Sequence, residues 1–183
     1  MLESPASPVP VVAGVPLPLT DAEQDLRRRG SELAVSTSPF ADALPPLAAD
    51  PRLYAERLIG GATASSESRF ARLGDDIASD HTRLVQFLPA ARTVAARDRI
   101  RVAAEGYVPV SGAEGAALAG RMADNAAVIE RTLGVLRARA AAYRVALDHL
   151  VLATPSPAAV PVERALARFD RALADGLRPE DPR

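Results

Sequence analysis

The chain has 183 residues, a net charge of −1, 48% hydrophobic and 4% aromatic residues, and neither Cys nor Trp. That length suits one domain with chain to spare for tails, and the near-neutral charge provides no overall field to draw in phosphate backbones. The absence of Cys excludes disulfides, thiol catalysis and Cys-based zinc sites.

Residues 1–19 carry Pro5, Pro8, Pro10, Pro16 and Pro18 among small residues, without periodicity. They read as an extended, polyproline-leaning tail, a tether or simply gene-start residue. The opening Met-Leu-Glu-Ser-Pro is not read as a signal peptide, since it lacks a basic region and Pro breaks its apolar run. Thr20-Asp21-Ala22-Glu23 is a capping box, with Thr20 capping and Glu23 reaching back, so a short helix is predicted to about Glu32 unless Gly30 ends it early. Residues 34–49 are turn-rich. Asp50-Pro51 then starts a helix bearing Leu53, Tyr54, Leu58 and Ile59 that stops at Gly60-Gly61.

A long helical stretch begins at Ser65 or Ser66, with an apolar face of Phe70, Leu73, Ile77, Leu84, Leu88, Ala91 and Ala95 and with His81 between Ile77 and Leu84. Pro89 is expected to kink it, or to split it into 65–88 and 90–105, because it removes one hydrogen bond and clashes with the preceding turn. After Gly106 and Pro109, a helix from Ser111 or Gly112 reads unbroken to about Ala153, roughly 60 Å at 1.5 Å per residue. It carries a heptad stripe of Met122, Ala126, Ile129, Leu133, Leu136, Ala140, Tyr143, Leu147 and Leu150, spaced alternately four and three. A 3.5-residue period makes a continuous seam, and a seam needs a partner helix. Thr154-Pro155-Ser156-Pro157 breaks the chain before a last amphipathic helix with Val162, Leu166, Phe169 and Leu173, ended by Gly176. The short connection near residue 109 predicts that 65–105 and 112–153 form an antiparallel hairpin. The expected fold is therefore all-α, an elongated helical bundle built on that long hairpin. Its organisation is a Pro-rich tail over 1–19, one bundle domain over 20–176 and a polar tail over 177–183.

Candidate chemistry is sparse. With the hairpin pivoting near residue 109, His81 lies level with about residue 137, roughly 18 Å along the axis from His149, so the two do not share a metal. Asp76, Asp80 and His81 form the densest polar cluster, and carboxylates with imidazole suit a divalent metal. Di-metal bundles use Glu-x-x-His motifs, however, and none occurs. The cluster reads first as a solvated helix face with local salt bridges, with His81 as a hydrogen-bonded core residue, and no metal or cofactor is expected. All the basic residues are Arg, which reads as coding bias in a GC-rich genome or as a surface suited to bidentate anion contacts. Arg92, Arg97, Arg99 and Arg101 make a locally basic face, but Asp98 and Glu105 dilute it and no aromatic is interleaved for base stacking, so nucleic acid is not expected. Glu130, Arg131, Arg137, Arg139, Arg144 and Asp148 flank the stripe as expected exposed charges. The Ser residues of 62–68 read as caps without a base or oxyanion hole beside them, and Gly112-Ala-Glu-Gly115 matches no phosphate loop. Gly134, mid-helix against propensity, predicts close helix–helix approach, with the stripe's small residues Ala126 and Ala140 beside it.

Three stretches resemble a family of uncharacterised helical proteins from alphaproteobacteria: Pro18-Leu-Thr-Asp-Ala-Glu-Gln-Asp-Leu-Arg27, Ser68-Arg-Phe-Ala-Arg-Leu-Gly-Asp-Asp-Ile77, and Asn125-Ala-Ala-Val-Ile129 through Tyr143-Arg-Val-Ala-Leu147 to Thr154-Pro-Ser-Pro157. Similar proteins often begin with an export signal and a lipid-attachment Cys. The resemblance implies a periplasmic domain tethered to the envelope through a Pro-rich tail, with no known activity and no catalytic residues. This chain departs from the pattern in carrying neither the Cys nor the signal, so the resemblance implies a lipid tether only for a precursor whose start was trimmed. No stretch approaches the roughly 18–20 apolar residues of a membrane span. The functional expectation is a non-enzymatic structural or interaction protein of the cell envelope, working through helix-face contacts with a protein partner or a second copy. An intracellular adaptor or chaperone-like bundle that binds a partner helix is the alternative.

Overall fold

In a computed structural model of the protein, residues 18–34, 65–105 and 112–178 are described. They form four helices, α1 (Asp21–Ala34), α2 (Ser66–Glu105), α3 (Ala113–Ala153) and α4 (Ala159–Asp175), and no strand occurs among the described residues. The expected helix over 51–60 and the tail over 1–17 lie outside them.

Each boundary has a local cause. The Thr20 backbone N–H donates to Glu23 Oε2 at 2.8 Å while the Glu23 N–H donates to Thr20 Oγ1 at 3.4 Å, which closes the capping box of α1. Gly30 does not end that helix, which continues to Ala34. At the start of α2 the Ser68 N–H donates to Ser65 Oγ at 3.3 Å. Pro89 does not split α2, which runs through it. Pro89 is exposed and Val85, whose carbonyl loses its intrahelical donor, is half-exposed, so water can take over that bond. α4 ends where Gly176 adopts φ +25° and donates to the Ala172 carbonyl, and a Cβ there would meet the Leu173 carbonyl oxygen at 3.1 Å.

All four helices carry the 3.5-residue period. α1 buries Glu23, Leu26, Gly30 and Leu33, and α4 buries Ala159, Val162, Leu166, Phe169 and Leu173. α2 buries Leu73, Ile77, Asp80, Leu84, Phe87, Ala91 and Val94 at steps of four and three. Of the α3 stripe, Ile129, Leu133, Leu136, Ala140, Tyr143, Leu147 and Leu150 are buried, Met122 is half-buried and Ala126 is exposed. α3 also buries a second row at intervals of seven: Asn125, Thr132, Arg139 and Ala146. Each fully buried Leu or Phe contributes about 1.5–3 kcal/mol of transfer free energy. The apolar rows therefore supply most of the cohesion.

Side-chain contacts fix the directions of the helices. Asp80 meets Arg139 and Tyr143 while Asp98 meets Asn125, so α2 and α3 run in opposite senses. Glu23 lies against Arg97 and Gly30 against Phe87, which makes α1 antiparallel to α2. Gly74 faces Val162 and Arg92 donates to the Gly176 carbonyl, so α4 is parallel to α2. Successive helices thus alternate in direction, and α1 and α4 each pack on both α2 and α3. This register places His81 level with about residue 140 rather than 137. The Tyr143 and Phe169 rings meet at 6.3 Å between centroids, tilted by 56°, and join α3 to α4.

The close approach expected at Gly134 lies elsewhere. Gly134 is exposed, and a Cβ there would meet nothing within 4 Å. Gly30 is the contact glycine, since its Cβ would come within 3.1 Å of Val128 Cγ1 and 3.2 Å of Thr132 Oγ1. Gly134→Ala should stabilise the protein by about 0.5–1 kcal/mol, because the helix gains propensity and no neighbour is displaced. Urea unfolding measures this; a destabilised variant would mean that α3 is packed at that face.

Candidate functional site

Among the described residues, two buried polar centres and an open groove beyond the end of α4 distinguish this bundle from a purely apolar one. The first centre joins the start of α1 to α2 and α3. Glu23 is fully buried and forms an ion pair with Arg97 at 2.7 Å. Asn125, also fully buried, donates from Nδ2 to Glu23 Oε1 and to Asp98 Oδ2, each at 3.1 Å. Arg97 and Arg101 stand 3.7 Å from Asp98, and Arg121 stands 4.0 Å from Glu23. Burial pushes the Glu23 carboxyl up, but the Thr20 N–H, the Asn125 amide, the Thr20 hydroxyl and the Arg97 charge together outweigh it and hold the pKa at about 2.

That lowering sets a pH dependence. The folded pKa of Glu23 lies below its ordinary value of 4.5, so the stabilisation is fully present above about pH 4.5 and is lost as pH falls towards 2. At 1.36 kcal/mol per unit its full size is roughly 3 kcal/mol. Glu23→Gln should remove the Glu23 share of the stability lost between pH 4.5 and 2 and so flatten the pH profile, as read by urea unfolding across that range. Parallel pH profiles for the variant and the native chain would contradict the assignment.

The second centre lies mid-bundle. Arg139 donates to Asp80 Oδ1 at 2.8 Å and to the Leu33 carbonyl at 3.4 Å, and the Tyr143 hydroxyl donates to Asp80 Oδ2 at 2.6 Å. The Asp80 and Arg139 side chains are only 5% and 6% exposed. This corrects two expectations, since Asp80 is not on a solvated face and Arg139 is not an exposed flanking charge. His81 is half-buried and does not occupy the core; Asp80, one residue earlier, takes the stripe position. Asp76 is half-buried one turn away, and among the described residues no group of three His, Cys, Asp or Glu side chains is placed to hold a metal ion. His149 is exposed.

The locally basic segment is partly internal. Arg92 donates to the Gly176 carbonyl at 2.9 Å and Arg97 is committed to Glu23, so both serve helix packing. Arg99 is exposed, with its Nε bonded to the Ala95 carbonyl. Glu130, Arg131, Arg137, Arg144 and Asp148 are exposed, and Arg144 pairs with Asp170 of α4.

The groove lies where α4 stops. Ala95, Asp98 and Arg99 of α2, Met122, Ala126, Ile129 and Glu130 of α3, and Leu177 line a space of about 550 Å³. α4 covers the α2–α3 pair down to Gly176, and the groove continues its track. The half-buried Met122 and the exposed Ala126 of the stripe thus fall in one place, beside the buried Ile129. The stripe predicted the residue type at these positions, but coverage depends on where α4 ends, which the stripe does not encode.

The chain matches no protein family, no curated protein and no solved structure among those compared. No helix among the described residues is long and apolar enough to cross a membrane.

Proposed function

We propose that the chain is a non-enzymatic structural or interaction protein of the cell envelope, acting through helix-face contacts, and that the groove over Met122, Ala126 and Ile129 is one such contact face. The open groove carries the reading. It is apolar along its floor, continues the path of a helix, and has charged side chains, Arg99 and Glu130, at its lining, as a site for one partner helix requires. The envelope placement draws support from the resemblance of residues 18–27, 68–77 and 125–157 to exported helical proteins.

A photo-cross-linking residue at Ala126, combined with cell fractionation, tests both halves. Cross-links to a protein partner in the envelope fraction are expected at Ala126 and not at Leu152, which is 83% exposed but outside the groove. A protein found wholly in the soluble cytoplasm would replace the envelope reading with that of an intracellular adaptor. Absence of cross-links at Ala126 would remove the groove from the account.

A further inference from the structure

We propose that the cleft between α1 and α3 binds a small organic anion, a carboxylate or phosphate monoester on a short apolar body, with Arg27 and Arg131 holding the charge. This site lies apart from the groove at the end of α4 and does not depend on a partner helix.

Helical spacing builds the cleft. Arg27, Gly30 and Ser31 share one face of α1, and Val128, Arg131 and Val135 share one face of α3. The two faces line a space of about 350 Å³. Small-molecule sites run from about 300 to 1,000 Å³. One turn of helix with its side chains fills roughly 400 Å³. The cleft therefore receives a compact ligand rather than a helix. Gly30 lies against both Val128 and Thr132, level with about residue 130 of α3. Arg27 is then level with about residue 127, roughly 6 Å along the axis from Arg131. Two Arg side chains on neighbouring helices can span that offset and grip one carboxylate or phosphate group.

The charge in the cleft is unbalanced. Among the described residues no carboxylate lines it, and neither Arg27 nor Arg131 forms an ion pair. Arg27 Nε is buried without a hydrogen-bond partner. Such a donor has lost its water and gained nothing, a cost that a bound anion would offset. The nearby carboxylates of α1 are engaged elsewhere: Asp25 with Arg28 and Arg29, Glu32 with Arg28, and Glu23 with Arg97. On α3, Glu130 lines the groove at the end of α4. The exposed Asp124 stands about 10 Å along α3 from Arg131. Ser31 adds a hydroxyl one turn after Arg27. Val128 and Val135 are half-buried and leave apolar surface beside the two cations. A ligand with both a charged head and an apolar body uses both features, whereas a bare inorganic anion uses only one.

The test titrates the full chain with octanoate and octyl phosphate, with octanol and inorganic phosphate as controls, while NMR follows the Arg27 Nε–H resonance. One amphiphilic anion should bind saturably, one to one, and shift that resonance; the tighter of the two names the head group. Its affinity should fall at least tenfold in Arg27→Gln and in Arg131→Gln, with circular dichroism confirming that both variants keep their helices. Octanol bound as tightly as octanoate would overturn the proposal, because charge would then play no part. Inorganic phosphate bound as tightly as octyl phosphate would overturn it too, because the apolar walls would play none. Both comparisons need only the native chain. Absence of saturable binding, binding that leaves the Arg27 resonance in place, or undiminished affinity in the folded variants would also overturn it.

Discussion

Asp80→Ala should cost about 3–5 kcal/mol of stability, more than most single substitutions in this chain. Removal of the carboxylate strands the Arg139 guanidinium, whose side chain is 6% exposed, beside the Leu33 carbonyl at 3.4 Å. Its desolvation is then no longer offset by an opposite charge. The Tyr143 hydroxyl also loses its bond to a carboxylate, and hydrogen bonds to charged groups contribute about 1.5–3 kcal/mol. Because one carboxylate serves both donors, the losses should not add. Tyr143→Phe should cost clearly less in the Asp80→Ala background than alone. Replacing the ion pair as a unit, Asp80→Leu with Arg139→Met, should recover most of the loss, since a well-packed apolar pair avoids desolvation altogether. Urea unfolding of the four variants decides this. A cost for Asp80→Ala below about 1 kcal/mol would mean that water reaches the pair.

Two substitutions on the same stripe should have opposite outcomes. Leu136 is fully buried, so Leu136→Asp places a carboxylate among side chains that cannot solvate it. The cavity alone, as in Leu136→Ala, costs about 2–5 kcal/mol. With the polar group added, the loss should approach the whole stability of a domain of this size, about 5–15 kcal/mol. Loss of helicity by circular dichroism is therefore expected, not a folded monomer released from a dimer. Ala126→Asp, ten residues earlier, lies on exposed backbone beside the groove and should change stability by only about 0.5 kcal/mol. Equal effects at the two positions would contradict the account of where the stripe is covered.

The contrast shows how far the sequence could be read. Helix positions were legible because Pro, Gly and capping residues punctuate strong periodicity: Thr20 and Glu23, the Thr154–Pro157 break and Gly176 all stand at observed ends. The buried charges were not read, although a signal existed. Asp80 falls at the four–three step between Ile77 and Leu84, and Asp98 falls four residues after Val94, so strict heptad spacing puts both carboxylates on the inner face. Placing His81 on that face instead hid the pair. Arg139 lies seven residues after Thr132 and fourteen after Asn125, a second inward row that becomes visible once two helices are known to flank α3. The groove was illegible for a different reason. Met122 and Ala126 have the residue types of a covered seam, but among the described residues they lie past the stopping point of α4. Gly134 misled in the opposite direction, because a mid-helix Gly marks close approach only when another helix is there to approach.

The buried part of the stripe, Ile129 to Leu150, is covered here by α1, α2 and α4 of the same chain. The most direct test is the urea midpoint of the full chain measured over a hundredfold range of protein concentration. Unfolding of a bundle that covers its own stripe is unimolecular, so the midpoint should not move. A midpoint that rises with concentration would show that a second chain completes the core.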